Sequence, residues 1–393
     1  MRWRSLAAKF APRIGLALAV VAGQPTLAGT LIVSGNDAKV GRVDGSYVVD
    51  PKAPPDQLVV LDAAKFPPRI IGQTAVHHSV SAPPTAVALA PDEKIALLAA
   101  PNRIDPADPA KLIAESFLQV IAIDAANTRV TQQIPLPHQP QSVAINKAGT
   151  LAVTVQNAGE LSLLALHGTR VELLRTLPLG GPEARPNGVA FTPDGHWLLV
   201  SFRGQDKVAV LSVQGEDVSP QYELATGHSP YVVKVAPNGK FAIVGDVTQS
   251  KDEREGVEDS VTLIDLTTQP FKVVQQIEVP LGPEGLAISP DSKWVAICSI
   301  NGSNVKPTSP AYHDYGILSL FRMNGMKPAL IGTAHTGHNT QGAEFTPDAR
   351  HLIVQDYVEA VLSTYEIGKG GPVDTGIRIE MPGRPASIAV AAR

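Results

Sequence analysis

Residues 187–202 read NGVAFTPDGHWLLVSF: an apolar strand, a Pro-Asp-Gly turn and a second apolar strand. Proline presets the first turn position, aspartate tolerates the second and glycine relieves the backbone strain of the third. The same turn recurs as Pro91-Asp92, Pro237-Asn238-Gly239, Pro290-Asp291-Ser292 and Pro347-Asp348-Ala349, with Lys147-Ala148-Gly149 a weaker copy. A unit repeated at this scale identifies architecture before any single residue is interpreted.

Aligned on the first strand of the unit, the copies start at Thr85, Gln141, Asn187, Tyr231, Glu284, Gln341 and Ala386. Proline precedes six of these starts and Thr340 the other; it fixes the entry angle and donates no hydrogen bond, which suits a corner before a strand. The intervals fall near the roughly 40–50 residues of a four-stranded propeller blade. The last copy ends after one strand (ASIAVAA), whereas Thr30-Leu31-Ile32-Val33 begins with a second-type strand. These ends complement each other. The expectation is an all-β, seven-bladed β-propeller over residues 29–393, with four-stranded antiparallel blades. The C-terminal strand would join the N-terminal blade, close the ring and remove open sheet edges.

The first 28 residues differ in kind. Arg2, Arg4, Lys9 and Arg13 precede an apolar run, and Thr26-Leu27-Ala28 offers small residues for cleavage. This reads as a secretory signal, too short for a membrane span. Its removal leaves 29 basic against 37 acidic residues, a formal charge of −8. Such a product lacks the basic character of nucleic-acid binders. Cys298 is the only cysteine, so no intramolecular disulfide can form. A soluble, monomeric periplasmic protein is expected.

In a blade, the corner before the inner strand and the loop between second and third strands share one face; the Pro-Asp-Gly turns occupy the other. The long second-to-third loops are residues 36–56, 101–116, 247–258 and 300–315, and long loops in compact repeats tend to carry sites. At one shared corner position stand His138, His228 and His338, in the third, fifth and seventh blades. Arg185 and Arg384 lie one place nearer the strand, and Glu284 occupies a start itself. Near the ends of second strands lie Arg203, Asp246 and Asp356, with Asn36 and Tyr357 beside them. All are expected around the channel mouth, a concave centre with convergent polar groups. The fourth inner-strand position is alanine in five blades but Lys234 and Glu344 in two. Buried charge needs a partner, so these two either pair or serve a ligand.

Three equivalent histidines suit a metal, but no H-x-H or H-x₃-H pair accompanies them, so polar channel residues are the favoured reading and no metal is expected. The arginines either bind a carboxylate, phosphate or lactone carbonyl or pair with Glu284, Asp246 and Asp356. The acidic run at residues 251–259 lacks the alternating ligand register of a calcium loop. No C-x-x-C-H, G-x-S-x-G or P-loop occurs, and no cofactor is expected.

VALAPDEK at 87–94, residues 187–202, and the run from His228 through DSVTLIDL to GLAISPDSKWVAICS resemble the YVTN-type repeat of bacterial seven-bladed propellers. The second strands depart from the Tyr-Val-Thr-Asn letters themselves. That group is similar to the lactonase-like superfamily containing 6-phosphogluconolactonase and carboxymuconate-cyclising enzymes. The resemblance implies a small anionic ligand at the channel mouth and ring opening or closing of a lactone. His138 or His228 would be general base, Arg185, Arg203 or Arg384 would stabilise the oxyanion, and Glu284 would orient the base. The alternative is a non-catalytic scaffold whose long loops dock a periplasmic protein.

Overall fold

A computed structural model describes residues 30–125, 127–248 and 258–391. The expected secretory signal, and residues 251–257 of the acidic run, lie outside them. Seven four-stranded antiparallel sheets surround an axial channel. The fourth blade shows the plan: Pro186–Phe191 innermost, then Trp197–Phe202, Lys207–Gln214 and Asp217–Ala225. The other inner strands are Val87–Leu89, Pro140–Ile145, Pro230–Val235, Pro283–Ile288, Thr340–Phe345 and Arg384–Val390.

The ring closes as the complementary ends require. Arg384–Val390 pairs antiparallel with Leu31–Asp37, from Ile32 opposite Val390 to Asp37 opposite Arg384. Neighbouring inner strands are tied across the blade gap, with Ile388 N–H donating to Pro84 O at 3.0 Å and Val143 N–H to Thr85 O at 3.1 Å. In blades four and six the approach leaves room only for glycine after the strand start. A Cβ on Gly188 would stand 2.4 Å from Tyr231 O, and one on Gly285 2.2 Å from Gln341 O.

The core lies between blades rather than at the axis. Leu151 and Val153 of blade three pack with Leu198 and Val200 of blade four, whose opposite side sends Leu199 and Val210 against Val233 and Val244 of blade five. Each fully buried aliphatic chain contributes about 1.5–3 kcal/mol, so stability is distributed around the ring. Cys298 is buried in one such interface.

The Pro-Asp turns are locked by a local device. Thr192 donates to Asp194 at 2.5 Å and accepts from Trp197 N–H at 3.1 Å. Ser289 and Thr346, each also preceding proline, make the same bonds to Asp291 and Trp294 and to Asp348 and His351. Among the described residues no helix is long and apolar enough to cross a membrane.

Candidate functional site

On the loop face, residues 36–56 form a hairpin that leaves blade one, Val40–Val43 paired with Ser46–Val49. Asp44 and Gly45 at its tip have φ of 45° and 74°, the left-handed pair that a two-residue type I′ hairpin turn demands. Its root is fixed by charge: buried Lys39 contacts Asp56 at 2.6 Å, Asp37 at 3.4 Å and the His78 carbonyl. Tyr357, at the end of blade seven's second strand, donates to Val40 O at 2.7 Å. Farther out, Arg42 Nε donates to Asn304 O at 2.7 Å, and Gly45 lies so close to Lys306 N that a Cβ would stand 2.5 Å away. The hairpin therefore crosses blade seven and reaches blade six.

Near this crossing lies Glu284, at the start of blade six's inner strand. Burial raises its carboxyl to about 7 despite the nearby Arg203 guanidinium, a hydrogen bond with Gln341 and the charge of Arg42. Arg203 follows directly on blade four's second strand and is buried. Its Nε donates to Ser229 Oγ at 2.9 Å and its guanidinium lies 4.7 Å from the Tyr231 ring centroid. Arg42 covers the Tyr47 ring at 4.4 Å. Asn187 Oδ1, Gln341 Oε1 and Asn339 Nδ2 are buried without a partner among the described residues. A carboxyl poised near neutrality, two cations and spare amide groups can move a proton and hold an anion.

The histidines stand elsewhere on this face. His138 Nδ1 meets Glu160 at 2.8 Å, where blade three's third strand begins. That is two strand spacings, roughly 10 Å, outward of the inner strand. His228 pairs with Asp206 at 3.0 Å, just before blade four's third strand, and His338 with Glu359 at 2.6 Å and Asp314 at 2.8 Å. Their charge partners sit over the middle of blades, and the structure does not bring them beside Glu284. The corner equivalence is real, but local carboxylates draw the rings outward.

Arg185 is exposed, with φ of 46°. Arg384 donates to Ala38 O at 3.4 Å beneath the hairpin. Asn36 spends its amide on Ser34 O and Gln57 O, at 2.9 and 3.0 Å. Asp356 accepts from Gly337 N–H at 2.9 Å and from Ser363, and burial raises it to about 6. Asp246 accepts from Ser260 and Thr262, each at 2.7 Å, and burial raises it to about 7. These residues brace corners and the hairpin. Lys234 and Glu344 pair at 2.6 Å deeper in the channel.

Arg42, Tyr231, Gln341 and Tyr47 were not singled out by the sequence. Two signals were present: six of seven inner-strand starts carry polar or aromatic side chains, and Asp44-Gly45 between valines is a hairpin signature.

Residues 169–252 match the family model described as lactonase, seven-bladed β-propeller. The periplasmic gluconolactonase of Pseudomonas aeruginosa superposes with a TM-score of 0.63 at 16% identity, covering 92% of this chain and 99% of that one. A Bacteroides uniformis protein described as a candidate 6-phosphogluconolactonase gives 0.65 at 17% identity, with the same coverage. This chain has the lactonase-like seven-bladed propeller fold. Hydrazine synthase of Kuenenia stuttgartiensis also superposes, with a TM-score of 0.57 at 14% identity, over 81% of this chain and 98% of that one. The lactonase-like fold thus leaves chemistry to the site. No curated protein matches the chain in sequence.

Proposed function

We propose that this protein is an exported lactone hydrolase acting on a small anionic or polyhydroxylated lactone beneath the hairpin of residues 40–49. The observation that carries the reading is Glu284, raised to about 7 yet set among Arg203, Arg42 and Gln341. As the carboxylate, Glu284 takes a proton from water while the water oxygen bonds to the lactone carbonyl carbon. Arg203 and Arg42 offset the charge that develops on the carbonyl oxygen. Collapse breaks the bond to the ring oxygen, which receives the proton back from Glu284, giving the hydroxy acid. A base with this pKa suits work near neutral pH. In this reading Glu284 takes the base role expected of His138 or His228, and Arg42 stands in place of Arg185.

The fold relatives include a periplasmic gluconolactonase, and residues 1–28 have the composition of an export signal. Mass spectrometry of protein recovered from the periplasm should find Gly29 at the mature N-terminus; an intact Met1 there would remove export from the reading. The activity test is hydrolysis of glucono-δ-lactone and 6-phosphogluconolactone by the purified protein. Turnover that falls sharply in Arg203→Ala and Arg42→Ala supports the proposal, and an inert wild type on both sinks it.

One observation favours the scaffold reading. Val43, Tyr47 and Val48 on the hairpin are exposed, an apolar rim suited to a protein partner. A specific periplasmic complex lost in Val43→Asp plus Val48→Asp, with no lactone turnover, would select it.

A further inference from the structure

A cavity of about 220 Å³ lies between the inner strands, with Lys147, Pro193 and Pro237 of the Pro-Asp-Gly turn face at its edge. None of Glu284, Arg203 and Arg42 lines it. Its walls are mainly apolar, Ile145, Phe191 and Ile288 among them, and Ala88, Ala144, Ala190 and Ala389 keep the bore open. Lys234 and Glu344 are set into this lining. Their ion pair spans blade six, whose own residue at that position, Ala287, is fully covered.

The pair is unevenly used. Glu344 is 7% exposed at its side chain, whereas Lys234 keeps 25%. Among the described residues the Lys234 ammonium makes one hydrogen bond, to Glu344 Oε1, so two of its three N–H donors remain for another acceptor. Lys147 is exposed at the mouth and has no ion pair among the described residues. Two cations against one carboxylate leave the lining net positive. An apolar bore with one interior donor and a basic entrance accepts a short chain carrying an anionic head. The volume lies below the ~300–1,000 Å³ of sites for drug-sized ligands, which sets the ligand as small.

We infer that the turn-face end of the channel is a second binding site, for a short aliphatic carboxylate whose head joins Lys234 and whose tail lies along the inner-strand side chains. This site is separate from the lactone site and stands or falls without it.

The probe is hexanoate, with hexanol and hexylamine as controls, titrated calorimetrically into the full mature chain. Hexanoate binds and the two controls bind at least tenfold more weakly. Lys234→Met plus Glu344→Leu removes both charges together; hexanoate affinity drops at least tenfold while the thermal transition stays cooperative. Should that variant not fold, Ala190→Leu fills the bore and weakens hexanoate by a similar factor. In the wild type, carboxylate-chain protons give nuclear Overhauser contacts to the Ile145 and Ile288 methyls. The inference is overturned by absence of hexanoate binding, by equal binding of all three probes, or by affinity unchanged in the folded variants. Loss of hexanoate binding in Arg203→Ala instead would place the ligand at the loop face and also overturn it.

Discussion

The buried carboxyl groups of the loop face and the aspartates of the Pro-Asp turns shift in opposite directions. On the turn face, burial works to raise Asp194, Asp291 and Asp348, yet hydrogen bonds from Thr192, Ser289 and Thr346 and from backbone N–H groups two residues on hold all three below the ordinary value. On the loop face, burial prevails: Glu284 and Asp246 rise to about 7 and Asp356 to about 6. The turn aspartates find their donors within a few residues. The loop-face groups draw their donors from neighbouring strands and corners seven or more residues away, and these do not offset burial. Local satisfaction marks structure; an under-satisfied carboxyl beside cations and spare amides, as at Glu284, is a candidate site.

The largest effect that separates the two faces is on turnover. Glu284→Gln keeps the shape and loses the base, so kcat/KM for lactone hydrolysis falls by about 10²–10⁴, while Asp194→Asn leaves it within twofold. The wild-type rate should climb as pH rises through about 7, because only the ionised Glu284 accepts a proton. A profile flat from pH 5 to 9, or a Glu284→Gln enzyme of normal rate, would detach this residue from the chemistry.

Next in size is the ion pair within the channel. Lys234→Met strands Glu344, almost wholly covered, whereas Glu344→Leu leaves Lys234 with a quarter of its side chain in contact with solvent. Removing one partner of a buried pair costs about 3–5 kcal/mol, and removing both is often neutral. The first substitution should approach that range, the second fall clearly below it, and the double variant lie near the wild type in urea denaturation. Equal costs for the two single variants would show that the pair is not asymmetric in solvation.

These contrasts explain what the sequence could reveal. Blade number, the turn face and the closing strand were legible because each is written in local, repeated chemistry: Pro-Asp turns, proline corners, and half-units at the two ends. The Lys234–Glu344 pairing was one of two open readings, since two charges interrupted a column of alanines. The site was harder. His138 and His228 share a corner position with His338, but Glu160 and Asp206, each 22 residues away and outside the repeated corner pattern, decide where their rings go. Arg42 reaches Asn304 across 262 residues of chain, a contact set by how a blade-one hairpin leans and by no spacing. Glu284 was visible as the one acidic residue among the strand starts; its neighbours Tyr231 and Gln341 stood in the same column without a charge to draw notice.

The smallest expected effect is also the most direct test of the two-face contrast. Asp246 Oδ2 accepts from Ser260 and Thr262, while its Oδ1 is buried without a partner among the described residues. Its folded pKa lies above the unfolded one, so the native state holds more protons between about pH 4 and 7 and this group's contribution to stability declines as pH rises. Asp246→Asn retains an oxygen for the two hydroxyls and removes the charge. It should therefore raise Tm slightly at pH 8 and leave it nearly unchanged at pH 4. Asp291 is the reverse case, with a folded pKa below the unfolded one and a stabilising contribution present at pH 8 that is lost as pH falls through the folded pKa. Asp291→Asn should lower Tm at pH 8, by the equivalent of about 0.5–1.5 kcal/mol for a weakened hydrogen bond, and the deficit should shrink below pH 4. Melting both variants at the two pH values decides the matter. Shifts of the same sign at pH 8 would mean that the faces do not differ in how they hold charge, and Glu284 would lose its claim to be poised by burial.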